Sequence, residues 1–312
     1  MKIIKLTLTK WPEEIIPSCA CIGYFDGVHL GHRALLDKTL DLAKKQECPA
    51  SIISFYPDPY TIVNGRQRQH IQSFSQRLLL LEKMGMDIAY VISFDQETAA
   101  LSPQDFSRLF LKRLQLKALV CGFDFHYGFH GQGDVFSLQQ ELQGIFPVYK
   151  IAEVRDEEGK ISSSRIRSYI TQGNIQQANA CLGYPYFVCG RVVSGRRNGR
   201  KMGYPTANIA YSPEQLLPDY GVYSAFVMWE GKRYKAMVNY GKNPTVAGNL
   251  AATLEIHILD FCADLYDREL CIYFLRRLRP EMKFRNLLEL SEQLRKDEME
   301  VRQEEENGSS VF

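Results

Sequence analysis

Residues 23–32 read Gly-Tyr-Phe-Asp-Gly-Val-His-Leu-Gly-His, which sets two imidazoles, His29 and His32, three residues apart among glycines. An apolar run, 18–23 (SCACIG), precedes this segment and an amphipathic one, 34–46 (ALLDKTLDLAKKQ), follows it. The segment is therefore expected to join a buried strand to the start of a helix. At a helix N-terminus the unpaired N–H groups and the dipole favour anions. Imidazoles placed there suit hydrogen bonds to phosphate oxygens and stabilisation of the charge that builds up in nucleotidyl transfer. Gly23, Gly27 and Gly31 permit a tight turn and close approach to a ligand, and Phe25 and Asp26 belong to the same candidate site. The segment is neither a Walker A loop nor a GxGxxG fingerprint. Its other readings are a satisfied core histidine or a zinc pair, but His70, His126, His130 and His257 show no zinc-ligand spacing.

Two later segments offer matching chemistry. Residues 122–128 (GFDFHYG) follow a strand pattern and supply Asp124 among aromatics and glycines. Residues 161–167 (ISSSRIR) stack hydroxyls at a helix start, which alone would only be caps. With Arg165 and Arg167 beside Ser163 and Ser164, they make a second anion site.

In the second half, residues 190–208 (GRVVSGRRNGRKMGYPTAN) combine glycines with cations, a backbone that can wrap polyphosphate. Gly195, Arg200, Gly203, Pro205, Thr206 and Asn208 are the candidate ATP contacts. Thr206 and Asn208 offer the neutral oxygens that suit a Mg²⁺ ion sharing phosphate ligands. A nucleic-acid patch is the rival reading, but no run of stacking aromatics accompanies the cations. Further on, residues 253–261 (TLEIHILDF) alternate as a strand with Glu255 and His257 on one face. A carboxylate in so apolar a strand is costly unless it is paired or used. Used, it can take a proton from an attacking hydroxyl; the bland alternative is an exposed strand glutamate.

The elements around these residues follow from pattern. Short apolar runs at 18–23, 50–55, 88–93, 118–122 and 148–152 alternate with helical stretches near 34–46, 75–84, 103–114 and 135–142. Strands separated by helices imply βαβ units and an α/β, Rossmann-like parallel sheet, with ligands beyond the strands' carboxyl ends. Ser102 is the expected N-cap of the helix at 103–114. Around 171–185 the composition turns small and polar, and the boundary is set there, giving domains 1–180 and 185–306. Beyond it, runs at 187–194, 221–229, 234–240, 253–261 and 269–275 are β-branched and aromatic, with Asn198-Gly199 and Glu230-Gly231 as turns. They predict a small antiparallel barrel or sandwich. A charged helix over 287–306 closes the chain, with Leu288, Leu294 and Met299 as its apolar side and a solvated charged face.

With 312 residues, 45% of them apolar, the chain can bury two cores. Its 38 basic and 36 acidic residues give a net charge of +2, which excludes a polyelectrolyte and gives no support for a nucleic-acid or membrane-surface partner. No apolar run is long enough to span a bilayer, and the alternation in residues 1–10 is not that of a signal peptide. The 8 cysteines are scattered and read as buried hydrophobes in a reducing cytoplasm, without disulfides. Oligomeric state is not legible.

The HxGH element at 29–32, the GxDFxxG segment at 122–128 and the ISSxRIR segment at 161–167 resemble, in that order, the nucleotidyltransferase module of bacterial bifunctional FAD synthetases. Residues 191–208, 221–223, 238–245 (VNYGKNPT), 255–261, Tyr266 and 279–284 (RPEMKF) resemble the riboflavin kinase domain that the family pairs with it. The resemblance implies phosphorylation of riboflavin to FMN, then adenylylation of FMN to FAD, with ATP as co-substrate and Mg²⁺ in attendance. It assigns Mg-ATP to Thr206 and Asn208, the base on the ribityl hydroxyl to Glu255, and the flavin to Tyr223 and Phe284. Departures from the family pattern are Asp58 for a histidine, His126 and Gly131 for arginines, Asn243 for an arginine and Asp267 for a glycine. The first three lower the positive charge expected around the adenylyl site. Two alternatives follow: a riboflavin kinase with a weakened or lost adenylyltransferase half, and a flavin-responsive regulator that binds RNA through 191–201.

Overall fold

A computed structural model describes residues 1–194, 203–244 and 250–304. The chain divides into two compact units: Met1–Arg68 with Phe74–Ser162, and Gln69–Ser73 with the chain from Ser163 onward.

The first unit runs β1 (Lys2–Leu6), β2 (Ser18–Ile22), α1 (Leu30–Lys45), β3 (Ala50–Tyr56), α2 (Pro59–Asn64), α3 (Phe74–Lys83), β4 (Ile88–Ser93), α4 (Gln96–Ala99), α5 (Pro103–Leu109), β5 (Leu116–Gly122), α6 (Val135–Glu141) and β6 (Val148–Ile151). A small ribbon, β7 (Arg155–Asp156) with β8 (Gly159–Lys160), completes it. The main sheet has the order β1-β4-β3-β2-β5-β6, and every neighbouring pair is parallel. Helical crossovers cover a parallel sheet on both faces, which is why β2 is buried at all five positions. The edge strand β1 was not read from the sequence, where residues 2–6 alternate like a half-exposed segment. Ser102 caps α5 as expected, its Oγ accepting the Asp105 N–H at 3.1 Å. The helix stops at Leu109 rather than 114 and continues as one 3₁₀ turn; Phe110, Leu111 and Leu114 are all buried in the core there.

Connections from β2 lead to β3 and those from β5 to β6, on opposite sides of the adjacent pair β2–β5. That pair is the topological switch point, where the crevice beyond the carboxyl ends takes ligands. The turns after β2 and β5 are the segments 23–29 and 123–128.

In the second unit, α7 (Ser163–Thr171) and α8 (Ile175–Leu182) precede β9 (Phe187–Val193), β10 (Ala207–Tyr211), β11 (Gly221–Trp229), β12 (Lys232–Pro244), β13 (Leu250–Ile258), β14 (Glu269–Pro280) and α9 (Leu287–Gln303). The six strands close into an antiparallel barrel of order β10-β13-β12-β11-β14-β9. Glu230 and Gly231, with φ of 49° and 77°, form the two-residue turn between β11 and β12 that such a hairpin requires. Both α7 and α8 belong to the barrel unit, so the packing division falls before 171–185. Asn179 on α8 explains part of this: its side chain donates to Phe274 O at 2.9 Å and accepts from Tyr186 N at 2.7 Å. Residues 69–73 join the same unit through main-chain bonds, His70 N to Glu214 O and Leu216 N to His70 O.

Two sequence expectations are corrected here. Cys189 and Cys271 stand opposite each other in the β9–β14 register and form a disulfide; their spacing of 82 residues carried no hint of it. On α9, Leu288 and Met299 are exposed, at 76% and 51%, while Asp297 and Val301 are the buried face. Asp297 turns inward because Arg279 of β14 meets it at 2.9 Å. The Asn198-Gly199 turn, Gly195, Arg200 and the rest of 195–202, the Asn243 side chain and the helix end beyond 304 lie outside the described residues.

Candidate active sites

The turn after β2 is bent hard. Phe25, Gly27 and Val28 all have positive φ (58°, 88° and 32°), and Phe25 and Val28 are fully buried. For a β-branched valine this is strain, of the kind that persists where a site dictates the backbone. The bend delivers His29 to the N-cap of α1, where its Nδ1 accepts the His32 N–H at 3.3 Å. An accepting Nδ1 puts the proton of a neutral His29 ring on Nε2. The His32 ring stacks on it, 3.8 Å between centroids and 20° from parallel. A Cβ at Gly31 would lie 3.0 Å from His29 Cε1, so glycine keeps the ring in place. Gly23 and Asp26 frame the turn, with Asp26 buried.

Burial, then the His29 and Arg77 charges, holds the His32 imidazole well below its ordinary value, so it is neutral at pH 7. Arg77 of α3 is a residue that sequence reasoning missed. It is 2% exposed, hydrogen-bonds Tyr24 O and lies over the Tyr24 ring at 4.1 Å. Nothing in its helical pattern set it apart from a surface arginine.

Asp58 is buried and caps α2, and Arg68 forks onto it at 2.6 and 3.1 Å while lying 5.5 Å from the Tyr24 ring. The carboxylate that replaces the expected histidine thus carries its own cation, which offsets the loss of positive charge. Asp124, after β5, pairs with Lys160. His126 and Gly131 lie in the same loop, the former bonded to Asp124 O at 2.9 Å. Ser163 and Ser164 open α7 as expected, but α7 packs with the barrel unit. There Arg165 Nη2 reaches Cys181 Sγ at 3.0 Å, and Arg167 lies one turn from the helix start.

In the barrel, Asn208 of β10 and Glu255 of β13 are direct cross-strand partners, and Asn239 of β12 is the partner of Glu255 on its other side. Opposed residues share a face, so a half-buried carboxylate sits between two amides. Asn239 was legible only as part of the segment 238–245. Beside this row, a cavity of about 560 Å³ is lined by Pro205, Thr206, Ile256, Phe261, Cys262 and Tyr266, among others. Glu255 and Asn208 do not line it: the cavity takes the alternate face of β13. His257 Nδ1 donates to Pro205 O, 2.8 Å away, and Tyr204 meets its ring edge-on. Gly203 has φ of 80°. Tyr223 is fully buried, its hydroxyl donating to Asp219 O and its ring against Phe274, so it packs the barrel and has no surface for a flavin. Phe284 is half-buried under Arg279 at 5.6 Å. Asp267 adopts φ of 60°, where a glycine would be unstrained. Among the described residues no group of three or more His, Cys, Asp or Glu gathers as a metal cluster.

A doubly wound sheet with an anion-suited turn at its switch point, joined to a barrel with a carboxylate among amides, defines a two-domain nucleotide-dependent transferase. The FAD synthetase family model matches residues 12–165 and the riboflavin kinase family model residues 182–304. Proteins named bifunctional riboflavin kinase/FMN adenylyltransferase from Listeria monocytogenes and Escherichia coli K12 are each 34% identical, over 95% and 97% of both chains. The chain belongs to the bifunctional riboflavin kinase/FMN adenylyltransferase family. A solved structure from Streptococcus pneumoniae, described as a macrolide-efflux protein, is 31% identical and superposes with a TM-score of 0.88 over 97% of this chain and all of that one. No helix among the described residues of the present chain is long and apolar enough to cross a membrane.

Proposed function

We infer that the chain carries out two ATP reactions in succession, riboflavin to FMN in the barrel unit and FMN to FAD in the sheet unit. The observation that carries this reading is the pairing of two unlike phosphate-chemistry sites, one per unit, in a chain of this family.

In the first reaction, Glu255 takes the proton of the terminal ribityl hydroxyl, whose oxygen attacks the γ-phosphorus of ATP as ADP departs. Asn208 and Asn239 stand directly across from it on the two neighbouring strands, where their amides would face its carboxylate. The donors fit Mg²⁺, being hard neutral oxygens two residues apart: Thr206 and Asn208 would hold it, and bound there it would neutralise the transferring phosphoryl group. In the second reaction, the FMN phosphate attacks the α-phosphorus of ATP and pyrophosphate leaves. His29, through Nε2–H, and the neutral His32 donate hydrogen bonds to the charge that develops, while the start of α1 favours the anion. Ser163, Ser164 and Arg167 lie on α7 of the barrel unit, and no step of the sheet unit's reaction runs through them. The reading puts the enzyme in the cytoplasm; among the described residues six cysteines are free, while Cys189 and Cys271 are paired.

Chromatography of products from riboflavin, ATP and Mg²⁺ tests the proposal: FMN rises first and FAD follows. Accumulation of FMN alone would leave a riboflavin kinase with a silent adenylyl half, and absence of both would refute the reading.

A further inference from the structure

We propose that Glu298 and Arg302 of α9 are positioning residues for the kinase reaction, clamping together the two chain segments that wall the Thr206 cavity. The proposal rests on the proposed function's placement of Mg²⁺ and ATP at Thr206, which lines that cavity.

One wall of the cavity is Pro205, Thr206 and Ala207, and another runs from Phe261 to Tyr266. Each wall is preceded by a residue tied to α9. Tyr204 donates its hydroxyl to Glu298 Oε2 at 2.9 Å. Arg302 forks onto Asp260 with bonds of 2.7 and 2.9 Å, and Asp260 itself has φ of 53°. The two ties are one unit, because Arg302 Nε also donates to Glu298 Oε1 at 2.8 Å across a single helical turn. Val301, between them in sequence, is buried with Met237 and Leu259, and Tyr204 packs on that cluster. A displacement of either wall must therefore drag or break the same i,i+4 pair.

The helix that carries this pair is anchored independently of it. Arg279 meets the buried Asp297, Arg276 bridges to Glu300, and Lys235 of β12 donates to Arg302 O at 2.8 Å. Arg302 and Asp260 are 44% and 74% exposed, and exposed ion pairs add little to global stability. A planar fork that holds a strained residue in one place gives geometry rather than stability. The long hydrophilic face of α9 thus has a specific task at its C-terminal end, and the sequence showed only its charge.

The test uses the full chain, with riboflavin phosphorylation followed as a function of ATP at saturating Mg²⁺. Arg302→Ala and Glu298→Gln should raise the KM for ATP roughly five- to twentyfold, with kcat changed less than about twofold and an unchanged thermal midpoint. Arg302→Lys, which keeps the charge and loses the fork, should recover part of the effect. Raising ionic strength should move the wild-type KM toward that of Arg302→Ala and move the variant less, because exposed ion pairs are screened. Wild-type ATP KM in Arg302→Ala and Glu298→Gln overturns the clamp, as does a joint fall of kcat and thermal midpoint with no rise in KM. Thr206→Ala run alongside separates the two assignments. An unchanged ATP KM there removes the cavity from ATP and the clamp's purpose with it. A raised KM in Thr206→Ala with wild-type values in Arg302→Ala overturns the clamp alone.

Discussion

His32 is the residue whose removal reads the adenylyl site most cleanly. Its ring is buried, stacked on His29 and neutral at pH 7, and its Nδ1 has no hydrogen-bond partner. A neutral imidazole donates a single hydrogen bond, and one such bond to a charged oxygen contributes about 1.5–3 kcal/mol. In a site that excludes water, loss of a donor aimed at developing charge costs about 2–4 kcal/mol. His32→Ala is therefore expected to slow FMN adenylylation roughly 30- to 1000-fold, at 1.36 kcal/mol per decade. The assay is FAD formation from added FMN, with riboflavin phosphorylation in the same preparation as a control on the other unit. The neutral ring makes a second demand. Adenylylation should hold its rate between pH 6 and 8, whereas a cationic His32 would lose activity as pH rises through about 6.5. The same lowered value has a consequence for stability. Its folded pKa lies below the unfolded 6.5, so the unfolded chain binds the proton first; stability is complete above about pH 6.5 and is lost as pH falls below it. An adenylylation rate within threefold of wild type in His32→Ala, or a deprotonation near pH 6.5 that vanishes in that variant, would refute this account of the site.

Other substitutions test the barrel and the turns. Glu255→Gln should cut FMN formation by about 10²- to 10⁴-fold while added FMN still becomes FAD; FMN production near wild type removes Glu255 as the base. Asp297→Ala leaves the partly buried Arg279 without its partner and should lower the barrel unit's unfolding free energy by about 1–3 kcal/mol, measured by urea titration. A loss under about 1 kcal/mol would mean that water reaches the guanidinium freely. Gly128→Ala places a Cβ 2.7 Å from Pro103 N at φ of 73° and should cost about 2 kcal/mol or more, visible as a lower thermal midpoint.

The sheet was legible because its strands are continuous apolar runs and its helices carry a 3.6-residue period; β1, at the edge and half exposed, lacked the first signal. The imidazole turn was legible for a different reason. His29 and His32 are of a rare type at a spacing that a helix start explains, and the structure adds the bend at Val28 that aims them. Long-range partners stayed invisible. Arg77 and Arg68 acquire their meaning only when the chain brings Tyr24 and Asp58 to them, and Asn239 only when β12 pairs with β13. The charged stretch of α9 shows the limit of pattern reading most plainly. Its leucines suggested the buried side, yet Arg279 on a distant strand makes Asp297 the residue that turns inward. Likewise Cys189 and Cys271 are joined by register rather than by spacing.

The proposed function, two ATP reactions at separate sites with FMN released between them, is tested most directly by mixing the two disabled variants. Glu255→Gln and His32→Ala chains should each fail to convert riboflavin to FAD, and their mixture should restore FAD formation at a rate that rises with the FMN released. A mixture as inactive as its components, with each variant retaining its own single reaction, would contradict the claim.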